Sequence, residues 1–235
     1  MATNAIRGDR VFYEDFEGWD VVADSPQYAT DTDPAVEIVS GEDFSGPRIT
    51  MDAGQANIGG ILFGQTTHDI TNGFSVKARV RLSAIGTANE RVGVWMTDLQ
   101  EDTLSEYPFT IATTVATAVA DPENAVGIFW EGDPTTKSWY ALSQRTDVLT
   151  VDGVTNQTVY KPPVAATWQV VGFDVAPGGL HAEFTVNGDI IYTYDSKTIP
   201  VCADVPLILV WGCTEGTTAI NADLDEIECR DGRAN

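Results

Sequence analysis

The chain has 235 residues, and its 13 Lys+Arg against 35 Asp+Glu give a formal charge of −22 at pH 7, which repels polyanions and excludes a nucleic-acid partner. Its 43% hydrophobic and 20% charged residues exclude a disordered acidic tail and suffice for a buried core without disulfide or metal support. No run approaches the roughly 18–20 apolar residues that cross a bilayer, and the opening Met1-Ala2-Thr3-Asn4-Ala5 lacks a basic segment followed by an apolar one, so neither membrane spanning nor Sec export is expected.

Alternation with a period of two dominates the chain. Strands are predicted over residues 11–16, 35–39, 48–51 and 57–63, separated by Gly, Pro, Asn and Asp clusters. Residues 74–82 follow as the clearest strand, with Phe74, Val76, Ala78, Val80 and Leu82 on one face and Ser75, Lys77, Arg79 and Arg81 on the other. Residues 91–97, 125–130, 139–144 and 168–175 continue the series. Between them, residues 110–120 fit both a helical face and an alternating strand; their Thr and Val content favours strand or extended loop. Residues 180–194 read as a hairpin, because Asn187-Gly188 supplies the two positive-φ positions of a type I′ turn. Residues 207–211 and 219–229 complete the set. So many short strands without an intervening helix predict an all-β antiparallel sandwich or barrel, read as a tail of residues 1–10 and a single domain of residues 11–235. Cys202, Cys213 and Cys229 are an odd set, which suits a reducing compartment; buried thiols are expected, with one cross-strand disulfide as the alternative.

The opening Tyr13-Glu14-Asp15-Phe16-Glu17-Gly18, the strand 74–82, Val92-Gly93-Val94-Trp95-Met96-Thr97-Asp98, the hairpin at Asn187-Gly188 and the closing Ala222-Asp223-Leu224-Asp225-Glu226-Ile227-Glu228 together resemble the concanavalin A-like lectin/glucanase jelly roll, shared by laminin-G-like modules, pentraxins and legume lectins. Arg91-Val92-Gly93-Val94, Glu106-Tyr107-Pro108-Phe109-Thr110, Asn124 to Trp130 and Lys137 to Leu142 are similar to jelly-roll proteins encoded among the structural genes of tailed bacteriophages. That second resemblance implies a non-enzymatic virion protein on the capsid exterior, assembled in the host cytoplasm. Its partners would be the major capsid protein or neighbouring subunits, a homo-oligomer included. The alternative is a carbohydrate-binding module contacting host or environmental glycans.

Each role has its candidate residues. For a capsid or subunit contact they are Ile6, Arg7 and Arg10 in the locally basic tail, and Tyr107 and Phe109 in the long connection after Asp98. For glycan binding they are Trp19, expected in an exposed loop, and Tyr107, whereas Trp95, Trp139 and Trp168 are expected in the core. Laminarinase-type glycosidases of this fold carry Glu-x-Asp-x-x-Glu, and Asp223, Asp225 and Glu228 fit that spacing with Asp in first place. Residues five apart on a regular strand point to opposite faces, however, so Asp223 and Glu228 could meet only across a β-bulge. The motif also sits on the last strand rather than mid-chain, and no catalysis is expected. No cofactor is expected either; Asp31 with Asp33, or Asp15 with Asp225, is the weak provision for structural calcium. His68, His181 and the cysteines show no zinc spacing. Arg7-Gly8-Asp9 is read as a terminal turn, and Asn156-Gln157-Thr158 as a formal glycosylation sequon.

Overall fold

The computed structural model describes residues 11–14, 16, 35–40, 44–54, 58–86, 89–98, 107–112, 114–118 and 122–231. In chain order the strands are β1 Val11–Glu14, β2 Ala35–Ser40, β3 Ser45–Met51, β4 Ile58–His68, β5 Phe74–Leu82, β6 Arg91–Thr97, β7 Phe109–Ala112, β8 Val115–Ala118, β9 Ala125–Glu131, β10 Trp139–Arg145 and β11 Val148–Asp152. A one-turn helix, α1 (Gly153–Asn156), precedes β12 Gln169–Val175, β13 His181–Val186, β14 Asp189–Asp195, β15 Leu207–Thr214 and β16 Ile220–Asp231. Eight strands form one antiparallel sheet in the order β14-β13-β12-β5-β16-β3-β2, with β1 also paired to β16; six form a second in the order β11-β10-β9-β6-β15-β4. The all-β sandwich is as expected. The helix is an addition, started by Asp152, whose carboxylate accepts from the Val154 and Thr155 amides at 2.9 and 3.1 Å.

The two sheets bury their facing rows against each other. Phe74, Val76, Ala78, Val80 and Leu82 of β5 meet Val92, Val94 and Met96 of β6 and Ile128 and Trp130 of β9 in one apolar core. On β5 the alternate residues reach solvent, but β6 and β9 are buried along nearly their whole length. The ambiguous stretch 110–120 explains why. It contributes the hairpin β7–β8, a separate two-stranded sheet, whose Phe109, Ile111 and Ala116 pack with Trp95, Phe129, Tyr140 and Leu142 into a second core on the outer face of the six-stranded sheet. The smaller sheet is therefore roofed, and its strands read as continuous apolar runs.

The predicted turn is present, with Asn187 at φ 52° and Gly188 at φ 82°. Asn187 also ties the hairpin to β12, its Oδ1 accepting from the Val170 amide at 2.8 Å. Close strand approach in the roofed sheet depends on Gly127, where an added Cβ would lie 2.5 Å from Trp95 Cβ and 2.7 Å from its Cα. Gly127→Ala is expected to lower stability by about 1–3 kcal/mol through overpacking against the neighbouring backbone. Urea unfolding checks this, and an unchanged midpoint would show that β6 gives way freely.

Candidate functional site

The outer face of the larger sheet is a ladder of opposed charges. Register sets Arg81 against Asp223, Arg79 against Glu226 and Lys77 against Glu228, with a bulge between Leu224 and Glu226. Arg81 and Lys77 share one face of β5, so Asp223 and Glu228 share that face too: the bulge has cancelled the odd spacing. The condition for a carboxylate pair is met, yet the pair does not form. Four regular steps separate the two residues along the strand, roughly 13 Å, against about 5–5.5 Å for a retaining pair and roughly 6.5–9.5 Å for an inverting one. Asp223 is also fully engaged, accepting from Arg48 Nε at 2.6 Å and Nη2 at 3.2 Å and from Arg81 Nε at 2.9 Å and Nη2 at 2.6 Å. Hydrogen bonding to Asp223 raises the Arg48 guanidinium further above its usual value. Glu228 accepts from Arg230.

Beside this ladder lies Trp168, half-buried and outside the core, contrary to expectation. The reason is parity: Gln169, the first residue of β12, turns inward to accept from Trp139 Nε1 at 3.1 Å, which sends Trp168 outward. Its ring lies 4.5 Å from the Arg81 guanidinium carbon, 4.9 Å from that of Arg79 and 5.2 Å from the Phe44 ring. Trp95 and Trp139 are buried as expected. Asp225 pairs with Arg79; its proposed calcium partner Asp15, and Asp31 and Asp33, lie outside the described residues. Among the described residues no cluster of three or more His, Cys, Asp or Glu is placed to hold a metal ion.

The roofed face holds two of the expected contact residues, in a different role. Tyr107 and Phe109 are 3% and 0% exposed, so neither ring is free to dock on a partner. They close the second core, Tyr107 at 5.1 Å from Trp95 and Phe109 at 4.9 Å from Phe129. Ile6, Arg7, Arg10 and Trp19 lie outside the described residues. At the end of β9 the roof also covers Glu131, 1% exposed, which faces Arg91 at 3.0 Å and accepts from the Ile111 amide of β7 at 3.0 Å. Burial lifts this carboxyl from its ordinary 4.5 to about 7, against the opposing pull of Arg91. The sequence reading missed Glu131; the signal was a carboxylate closing an apolar strand in register with an arginine.

A buried thiol and imidazole also come together with a partly exposed carboxylate, Cys229 Sγ lying 3.8 Å from His68 Nδ1, which in turn meets Asp231. Burial raises the Cys229 thiol far above its ordinary range, which favours the protonated form. Cys202 and Cys213 are likewise free and buried. His181 sits on the polar face of β13 beside Glu183 at 3.3 Å.

A concavity lies on the side of the sandwich, among the described residues. It is a groove of about 340 Å³ between β14, at the edge of the larger sheet among the described residues, and the end of α1 with the stretch that follows it. Asn156, Thr158 and Val159 line one wall and Ile190, Tyr192 and Thr193 the other.

Architecture and strand order define a concanavalin A-like lectin/glucanase jelly roll. Among solved structures the chain is similar to the carbohydrate recognition domain of Emp47p, with TM-score 0.63 and 8% identity over 95% of each chain. Lectin II from Ulex europaeus matches with TM-score 0.63 and 9% identity over 95% of this chain and 98% of its own. A Bacillus licheniformis beta-glucanase matches with TM-score 0.53 and 13% identity over 95% and 98%. No protein-family model and no curated protein matches the sequence.

Proposed function

We propose that the protein is a carbohydrate-binding module that does not hydrolyse its ligand. The observation carrying this reading is the near end-to-end coincidence of its fold with lectin domains. Fold alone does not make a function, and the carboxylates supply the rest of the argument. Hydrolysis needs two of them flanking one glycosidic bond. Asp223 and Glu228 are too far apart along their strand and are neutralised by arginines, and Glu131 lies closed beneath β7. Binding asks only for a concave surface with a few hydrogen-bonding groups, which the side groove offers. The expected result is retention of the full chain on a glycan array, with no release of reducing sugar from the retained glycans. An array with no retained glycan would overturn the reading, and reducing-sugar release abolished by Glu131→Gln would replace it with an enzyme.

A virion location is a second proposal, supported by the resemblance of residues 91–142 to phage jelly-roll proteins and by the −22 charge, which disfavours the DNA-facing side of a shell. It requires co-purification with intact heads at a stoichiometry tied to capsid symmetry. A carbohydrate-binding module on a virion surface would satisfy both proposals.

A further inference from the structure

We infer that the groove between β14 and the stretch following α1 is the saccharide site, and that its ligand is a short neutral glycan. This inference rests on the carbohydrate-binding reading and gives it a place and a chemical class. Among the described residues, part of each outer sheet face is covered by the protein's own side chains. The roof of β7 and β8 covers part of the outer face of the smaller sheet with Tyr107, Phe109 and Ile111, and ion pairs cover the ladder of β5 and β16. The groove, at about 340 Å³, falls at the lower end of the roughly 300–1,000 Å³ typical of small-molecule sites, which suits one or two sugar rings.

Its chemistry matches a sugar on both counts. Sugar hydroxyls both donate and accept, and the groove presents the Asn156 amide with the Thr158 and Thr193 hydroxyls. Asn156 spends one amide N–H on Thr155 Oγ1 at 3.1 Å, which leaves its carbonyl to accept. The apolar C–H face of a sugar ring needs an apolar wall, and the exposed Ile190 and Val159 supply it, beside Tyr192, whose ring packs against Phe184 at 6.3 Å. No lining residue is charged. The nearby carboxylates are Asp152, whose charge acts on the Tyr192 hydroxyl, and Asp189, whose charge Lys161 already meets at 2.7 Å. An anionic sugar would find no charged lining residue, with Lys161 already paired to Asp189, and a strongly negative molecule around it. The edge of β14 is a poor template for an added peptide strand, because Asp189 and Asp195 stand exposed at its two ends.

The test compares full-length wild type, the double variant Asn156→Ala/Thr158→Ala, and Lys77→Ala on the distant sheet face, using an array of neutral, sialylated and sulfated glycans. Both residues of the double variant are exposed, so unchanged urea midpoints should confirm that all three proteins fold. Losing two hydrogen bonds should weaken binding to neutral glycans at least about tenfold, with Lys77→Ala unaffected. If wild type and the double variant bind equally, the groove is not the site and the carbohydrate-binding reading survives without it. If wild type prefers sialylated or sulfated glycans, the neutral class is wrong. If wild type retains none, both readings fall together.

Discussion

Replacing Asp223 with Ala should lower the unfolding free energy by about 2–3 kcal/mol, one of the two largest effects expected in this molecule. The carboxylate is 2% exposed and accepts four N–H donors from two arginines, one on β3 and one on β5, both strands that flank its own. It is thus a three-strand clasp. Removing one partner of a fully buried ion pair typically costs about 3–5 kcal/mol, because the remaining charge stays buried without compensation. Here the arginine side chains are 24% and 22% exposed and can turn part of their charge to water, which sets the expectation below that range. Asp223→Asn keeps one acceptor oxygen and should cost less. Arg48→Ala alone should cost less again, because Arg81 still meets the carboxylate. Urea unfolding of the three variants orders them; an Asp223→Ala midpoint indistinguishable from wild type would show that the clasp is worth nothing net.

The clasp also shows where sequence reading reaches its limit. The alternation of Phe74 to Leu82 and the turn at Asn187-Gly188 are local signals, and both were legible because period and turn chemistry act within a few residues. The partners of Asp223 lie 175 and 142 positions away. The bulge at Asp225 is a property of how β16 pairs with β5, so no reading of β16 alone could find it. The roof was half legible. Residues 110–120 carried two periods at once because β7 and β8 bury only alternate side chains, and this same covering makes β6 and β9 apolar on both faces. Tyr107 and Phe109 therefore looked like docking residues in a long loop, while the tertiary structure packs both rings onto the protein's own sheet.

That arrangement bears on where the proposed saccharide would bind. A sandwich offers two outer faces and its edges. Here the β7–β8 hairpin covers part of one face and ion pairs line part of the other, while a groove lies at the edge between β14 and α1. Variation in binding between related chains would then be expected in the short α1 segment and in β14 rather than in the sheet faces.

Glu131 should make stability depend on pH in a defined window. Its carboxyl is raised from 4.5 to about 7 in the folded protein, chiefly by burial, so the folded state holds this proton more tightly than the unfolded chain does. The stabilising contribution is fully present below about pH 4.5 and is lost as pH rises through about 7. A rise of that size corresponds to on the order of 3 kcal/mol. Arg91, Asp133, Tyr107 and Tyr140 are the titratable or charged groups coupled to it; Arg91 favours the ionised form, and it loses against the desolvation beneath β7. The wild-type profile alone mixes in the 35 acidic residues of the chain, so the informative quantity is the difference from Glu131→Gln. Gln keeps a carbonyl to accept the Ile111 amide and stays neutral at every pH. Below pH 4.5 the two proteins should therefore be about equally stable, because wild type is then neutral at this position too. Between about pH 4.5 and 7 the variant should gain steadily on wild type, and above pH 8 the advantage should be constant. Urea unfolding at intervals across pH 4 to 8.5 measures this, and two parallel profiles would show that Arg91 fully offsets the burial of the charge.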